Sequence, residues 1–225
     1  MQDTLKPSKG NELKVCEIFY SIQGETSYAG MPAAFVRLGG CNLRCIWCDT
    51  KYAYEEGSLM NIAAIENKVE SFRTKLVVIT GGEPLTQPAV YELISNLLDN
   101  GHEVQIETNG SISIESVDGR ANVIMDIKCP GSMADEFNNW ENISQLQEKD
   151  EVKFVINDKA DFDWAVEIIK KEKLETLVGN ILLAPVFGKF DLPLFAGWIK
   201  NLHIPGVRLN LQLHKYIWQE NTRGV

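Results

Sequence analysis

The chain alternates short β-branched and aliphatic runs with longer segments whose apolar positions recur every three or four residues. The runs predict strands at Leu13–Phe19, Ala33–Leu38, Leu76–Thr80, Glu103–Glu107, Val123–Ile127, Val152–Ile156, Ile181–Ala184 and Val207–Leu211. Between them the helical period predicts a helix that starts near Ser58 and runs through Ile62, Ile65 and Val69. A second starts near Thr86, whose hydroxyl can cap free N–H groups, and stops at Asn100-Gly101. A third begins around Asp158, with Phe162, Ala165, Val166 and Ile169 on one face, and a fourth spans roughly Leu192–Leu202. Strand–helix–strand alternation favours an α/β fold with a parallel sheet and helices outside it. A partial or irregular (β/α) barrel and an open doubly wound sheet both fit. Either would gather chemistry at the C-terminal ends of the strands.

Length and composition narrow this picture. At 225 residues, with 44% hydrophobic and 24% charged residues, the whole chain (1–225) reads as a single domain, with residues 1–12 a loose N-terminal tail. The opening Met1–Lys6 lacks an apolar stretch, so no signal peptide is expected, and apolar runs such as Ile181–Phe187 are too short to span a bilayer. A net charge of -9 argues against nucleic acid or an anionic membrane as the main partner. The five cysteines are odd in number, and three crowd into eight residues, which points to a reducing cytoplasm rather than a disulfide framework.

That cluster is Cys41-x3-Cys45-x2-Cys48, preceded by Gly39-Gly40. Three thiolates on one loop can ligate three irons of a cubane and leave the fourth open, and soft ligands suit such a cluster. A zinc site would need a fourth ligand, and His102, His203 and His214 do not stand at finger spacing. A redox pair at Cys45 and Cys48 would not need Cys41. Cys16 and Cys129 lie in strand-like contexts and read as core residues. Two further motifs, Thr80-Gly81-Gly82-Glu83-Pro84 and Glu107-Thr108-Asn109-Gly110, close the next two expected strands, so all three fall on one predicted face.

With Trp47 just before its last cysteine, the cysteine motif resembles the signature of the radical S-adenosylmethionine superfamily, and Gly81-Gly82-Glu83-Pro84 is similar to that family's G-G-E-P motif. The resemblance implies a partial (β/α) barrel and a [4Fe–4S] cluster on Cys41, Cys45 and Cys48. It further implies S-adenosylmethionine on the open iron, cleaved by one-electron reduction to a 5′-deoxyadenosyl radical. Trp47, Cys48, Asp49, Gly81, Gly82, Glu83, Gly110, Asp126 and Lys128 are the implied cofactor contacts, with Glu83 at the cofactor's ammonium.

Within the superfamily, further pieces from about residue 15 to the end resemble the 7-carboxy-7-deazaguanine synthases. They are Glu17–Glu25, Phe35-Val36-Arg37, Cys48-Asp49-Thr50, Glu107–Gly110, Leu213–Trp218 and Arg223-Gly224-Val225. That family implies a carbon–nitrogen lyase that converts 6-carboxy-5,6,7,8-tetrahydropterin to 7-carboxy-7-deazaguanine with loss of ammonia, in queuosine and 7-deazapurine biosynthesis. It implies Mg2+ on Thr50 and substrate contacts at Ile22, Gln23, Gly24, Arg37, Thr108 and Val225, with Arg37 as a fork for a carboxylate. Ala184–Phe187 lacks the polar residues that some members use to hold the cofactor. Flavodoxin or ferredoxin as electron donor, and a homodimer, are further implications. The tail is expected to fold over the pterin, with Leu209–Leu213 as a last strand before it. A glycyl-radical-enzyme activase shares the cysteine spacing and the Gly-Gly-Glu motif and is the alternative. A plain electron carrier would normally use a fourth cysteine.

Overall fold

A computed structural model describes residues 10–219 and 222–225. Nine strands form one open sheet in the order β3-β1-β2-β4-β5-β6-β7-β8-β9. β1 (Glu12–Ile22) runs antiparallel to β2 (Pro32–Leu38) and to β3 (Ser58–Asn61). From β2 onward every pairing is parallel, through β4 (Leu76–Gly81), β5 (Glu103–Thr108), β6 (Asn122–Asp126), β7 (Glu151–Ile156), β8 (Asn180–Pro185) and β9 (Val207–Leu209). The edge strands β3 and β9 do not pair, so the sheet is not a closed barrel. All eight expected strands are present. Of the tail expected over residues 1–12, residues 1–9 lie outside the described residues, and Glu12 already belongs to β1.

The period-2 rule divides the strands into two unlike faces. Val36, Val77, Ile79, Val104, Ile106, Val152 and Phe154 join the main core, against which the helices lay their apolar stripes. Ile62, Ile65 and Val69 do so from α1 (Ile62–Glu70), and Val90, Leu93, Ile94 and Leu97 from α2 (Val90–Asp99). Phe162, Ala165, Ile168 and Ile169 come from α3 (Lys159–Glu172), and Phe195 from α4 (Leu192–Lys200). Each such Leu, Ile or Phe contributes roughly 1.5–3 kcal/mol by leaving water. The alternate positions carry Arg37, Thr80, Gln105, Glu107, Asp126, Glu151 and Lys153, so the opposite face is largely polar, apart from a small apolar cluster of Ala33, Phe35, Leu76 and Val78. No described helix is long and apolar enough to cross a membrane.

Three element boundaries differ from the expectation. Ser58–Asn61 is strand β3, because β1 offers it an edge, and the helix begins only at Ile62, where the Asn61 side chain accepts from Ala64 N at 2.8 Å. Thr86 closes a 3-10 turn, Pro84–Thr86, and its hydroxyl donates to Glu83 O at 2.7 Å. Pro88 holds Gln87 extended (φ -110°, ψ 106°), which delays α2 to Val90. The run Leu209–Leu213 is not a strand. After Leu209 the polar Asn210 and Gln212 turn to meet Glu25, and a short α5 (His214–Ile217) follows.

Candidate active site

The cysteine loop follows β2 and is laced to the ends of its neighbours. Gly40 N donates to Ala53 O at 2.7 Å, Gly82 N to Leu38 O at 3.0 Å and Glu83 N to Gly40 O at 2.8 Å. Gly82 is required here. A Cβ on it would stand 2.0 Å from Gly40 O and 2.7 Å from Cys41 Cβ. The three cysteines are half-buried free thiols. No three His, Cys, Asp or Glu side chains among the described residues converge on a single ion. A cubane does not need that, since each thiolate takes a separate iron. Burial pushes the Cys41 and Cys45 thiols up, against the pull of the Lys128 ammonium, so loading a cluster would release protons. Cys129 is buried in the core, whereas Cys16 is only half-buried, beside the irregularity between Val15 and Glu17.

Glu83 is fully buried, and its carboxylate accepts from Leu85 N (3.0 Å), Thr108 Oγ1 (2.8 Å) and Asn109 N (2.6 Å). It thereby ties the Gly-Gly-Glu-Pro turn to the end of β5, with one of about four acceptor positions left. Thr108, expected at the substrate, donates its hydroxyl to Glu83. Gly110 has φ +71°, a conformation open to glycine, and Met125 packs 3.0 Å from where a Cβ would be. Asn109, part of the Glu107–Gly110 motif but without an expected role of its own, reaches Cys41 Sγ (3.9 Å) and Asn42 Oδ1 (3.1 Å) and so lines the cysteine loop.

Asp126 and Lys128 form a salt bridge of 2.8 Å at the end of β6, and Asp126 Oδ1 is buried with no protein partner. Asp49 pairs with Lys215 at 2.8 Å and accepts from Gln212 at 3.1 Å, joining the cysteine loop to α5. Burial works against the Asp49 carboxylate, yet the Lys215 charge and these bonds hold it well below the usual carboxylate range. Thr50 precedes the 3-10 turn Lys51–Tyr54 without capping it, and its hydroxyl lies 3.3 Å from Asp49 Oδ1 and 3.8 Å from Cys48 Sγ. Trp47 is half-buried on the same loop.

On the polar face, Ile22 ends β1 and delivers Gln23, which is buried and donates to Gln105 Oε1 (3.1 Å) and Glu107 Oε1 (3.3 Å). Thr80 Oγ1 donates to Glu107 Oε2 at 2.9 Å. Gly24 fits beneath His214, whose Nδ1 would be 2.4 Å from a Cβ, and its carbonyl accepts from Leu213 N at 2.9 Å. Glu25 binds Lys153 (3.1 Å), Asn210 (3.2 Å) and Gln212 (3.0 Å). Arg37 donates from Nε to Glu17 Oε1 at 2.8 Å and sits 5.8 Å from the Phe19 ring centroid. Gly224 lies against Phe19, and Val225 beside it is half-buried. Tyr216 packs edge-on to Phe187 at the end of β8, flanking a cleft of about 180 Å³ also lined by Pro185, Phe190, Leu211 and Gln212.

Sequence reasoning quoted Glu25 and Glu107 within motifs but gave them no role, and it missed Gln105 and Lys153. The signal was present: Glu103-Val-Gln-Ile-Glu107 and Val152-Lys-Phe154 put polar residues on alternate positions of buried strands.

A model of the radical SAM superfamily matches residues 35–191. The chain is 43% identical over 216 residues to the 7-carboxy-7-deazaguanine synthase of Chlorobaculum tepidum, covering 95% of this chain and 97% of that one. It is 38% identical to the protein of the same name from Koribacter versatilis (95% and 100% covered) and 39% identical to that from Clostridium acetobutylicum (94% and 99%). Its fold is similar to the crystal structure of QueE from Escherichia coli, with a TM-score of 0.72 at 24% identity over 90% of this chain and 95% of that one. The cysteine loop, the Gly-Gly-Glu-Pro turn and these relationships agree: the chain belongs to the radical S-adenosylmethionine superfamily and, within it, to the 7-carboxy-7-deazaguanine synthase family.

Proposed function

We propose that this lyase converts 6-carboxy-5,6,7,8-tetrahydropterin to 7-carboxy-7-deazaguanine with loss of ammonia. The observation that carries the reading is the polar sheet face, where the Arg37 guanidinium, held to Glu17 by Nε alone, and an amide–carboxylate pair (Gln23, Glu107) lie on neighbouring strands. The cofactors of the chain are a [4Fe–4S] cluster and S-adenosylmethionine, which when bound supply the hydrogen-abstracting radical. The donor set fits them: three soft thiolates on one loop, next to a turn whose second glycine leaves no room for a side chain.

The residues of this chain bind, orient and exclude water. Cys41, Cys45 and Cys48 hold the cluster. Asp126 Oδ1, buried and unpartnered, and Lys128 offer the cofactor an acceptor and a cation, with Trp47, Asp49, Gly81, Gly82, Glu83 and Gly110 around them. Pro185, Phe187 and Tyr216 form an apolar cleft suited to the flat adenine, which makes up for the polar residues missing from Ala184–Phe187. Arg37 takes the substrate carboxylate, and Ile22, Gln23, Gly24 and Thr108 border the pterin. Thr50, whose hydroxyl is not spent on a cap, is the protein ligand for Mg2+, a hard cation that keeps several waters. We read residues 1–225 as one domain because a single continuous sheet runs from Glu12 to Leu209. A flavodoxin or ferredoxin donor rests on the family resemblance. A homodimer and a cytoplasmic setting rest on the family and on the reduced cysteines.

The test is anaerobic incubation of the reconstituted protein with the tetrahydropterin, S-adenosylmethionine and reductant, followed by mass analysis. Appearance of 7-carboxy-7-deazaguanine supports the reading, and cofactor cleavage without that product overturns it. In the same assay Thr50→Ala is expected to weaken the Mg2+ dependence and lower turnover at least tenfold while the cluster absorbance stays. An unchanged Mg2+ response would place the metal elsewhere. Deleting residues 222–225 removes the Arg223 fork to Glu56 and the cover over Phe19. Product formation is expected to fall at least tenfold, with substrate-free cofactor cleavage retained, because the tail no longer shields the radical from water. Full product formation would reduce the tail to packing.

A further inference from the structure

We propose that Tyr52 is a positioning residue for the substrate. Its hydroxyl pins Glu17 so that Arg37 keeps both terminal nitrogens for a carboxylate, and its ring seats Arg223 of the tail. The proposal rests on the reading that Arg37 holds the substrate carboxylate.

Glu17 and Arg37 are direct cross-strand partners on β1 and β2. Left alone, such a pair forms a two-pronged fork, with Nε and one terminal nitrogen on the two carboxylate oxygens. Here only Nε is engaged, at 2.8 Å from Glu17 Oε1, and the terminal nitrogens have no protein acceptor among the described residues. The reason is visible at the same oxygen: Tyr52 Oη also donates to Glu17 Oε1 at 2.8 Å. Two donors on one oxygen fix the rotation of the carboxylate and keep its other oxygen off the guanidinium. A phenol stays protonated throughout the neutral range, so it remains a donor there.

Tyr52 is held from two further sides. It lies on the turn Lys51–Tyr54, tied to the cysteine loop by Ala53 N to Thr50 O (2.9 Å) and Gly40 N to Ala53 O (2.7 Å). The Arg223 guanidinium lies 3.8 Å from its ring centroid and forks to Glu56 at 2.7 and 2.9 Å. Tail docking and the open fork of Arg37 therefore share one side chain.

The experiment compares anaerobic binding of two fluorescent probes, 6-carboxypterin and pterin, which differ only by the carboxylate. Wild type should prefer 6-carboxypterin, and Arg37→Gln should erase the preference. Tyr52→Phe should cut the preference about tenfold, the scale of one charge-assisted hydrogen bond, because the freed Glu17 closes the fork. On the Arg37→Gln background the same change should do nothing. Arg223→Gln, which leaves the phenol in place, should cut the preference about two- to threefold, as expected for an exposed cation–π contact. It also carries the test if Tyr52→Phe fails to take up the cluster. A wild type without preference sinks the carboxylate reading itself. A wild type with preference, matched by variants that keep it or that lose both probes equally, overturns the role of Tyr52 alone.

Discussion

Replacing Cys41, Cys45 or Cys48 with Ala, one at a time, is expected to abolish the cluster's visible absorbance and all S-adenosylmethionine cleavage. In the proposed site each thiolate takes a different iron, so no neighbour can substitute for a lost one. The surroundings offer no replacement either: Asn42, Asn109 and Ser111 are hydrogen-bonded to one another, and Glu83 is committed to β5. The matched controls are Cys16→Ser and Cys129→Ala. Cys16 stands on β1 among Glu17, Glu56 and Arg37, and Cys129 is buried in the core, so neither belongs to the loop. Both variants should bind iron as wild type does, with Cys129→Ala costing about 1 kcal/mol of stability for the small void it leaves. Iron lost from either control in folded protein would overturn the ligand assignment.

The parts that were legible in the sequence are those governed by local chemistry. The cysteine spacing, the glycine turn and the β-branched runs each state a local requirement, and all three motifs indeed meet at the ends of β2, β4 and β5. The helix start near Asp158 was readable for the same reason, and the Asp158 side chain accepts from Asp161 N. What the sequence did not reveal depends on distant partners. Ser58–Asn61 looks helical until β1 presents an edge to it. Thr108 looks available until Glu83, 25 positions earlier, claims its hydroxyl. Glu25 looks like a loop carboxylate until Lys153, 128 positions later, faces it. No local rule reports such long-range pairs, and it is these pairs that line the site. Resemblance to a family bridged part of the gap, since it pointed to Gln23 and Arg37 before any contact was known.

The Glu25–Lys153 pair supports the second large effect: Glu25→Ala is expected to destabilise the protein by about 3 kcal/mol, read as a fall in the urea midpoint at constant slope. The two side chains are only 14% and 13% exposed, so truncating one leaves a buried charge rather than a wet one. Asp126 and Glu107 also lie near Lys153 and keep the cost at the lower end of the range for broken buried pairs. The pair fixes the direction of the pH response as well. Burial opposes ionisation of Glu25, yet Lys153 and Gln212 hold its carboxyl below the ordinary value, so its contribution is present above about pH 4.3 and drains as the pH falls further. Lys153 shows the mirror image: burial would lower it, but Glu25 and Asp126 raise it, so its contribution holds below about pH 10.4 and is lost only as the pH climbs through the raised value. The variant should therefore lose most at neutral pH and least in acid, where wild type has already lost the pair. The double change Glu25→Gln with Lys153→Met keeps one of the two acceptor oxygens that Asn210 and Gln212 use and removes both charges. It should recover at least half of the lost stability, because desolvating an ion pair offsets much of its attraction. If the double variant is no more stable than Glu25→Ala, the loss comes from the hydrogen bonds to Asn210 and Gln212, and the charge pair contributes nothing of its own.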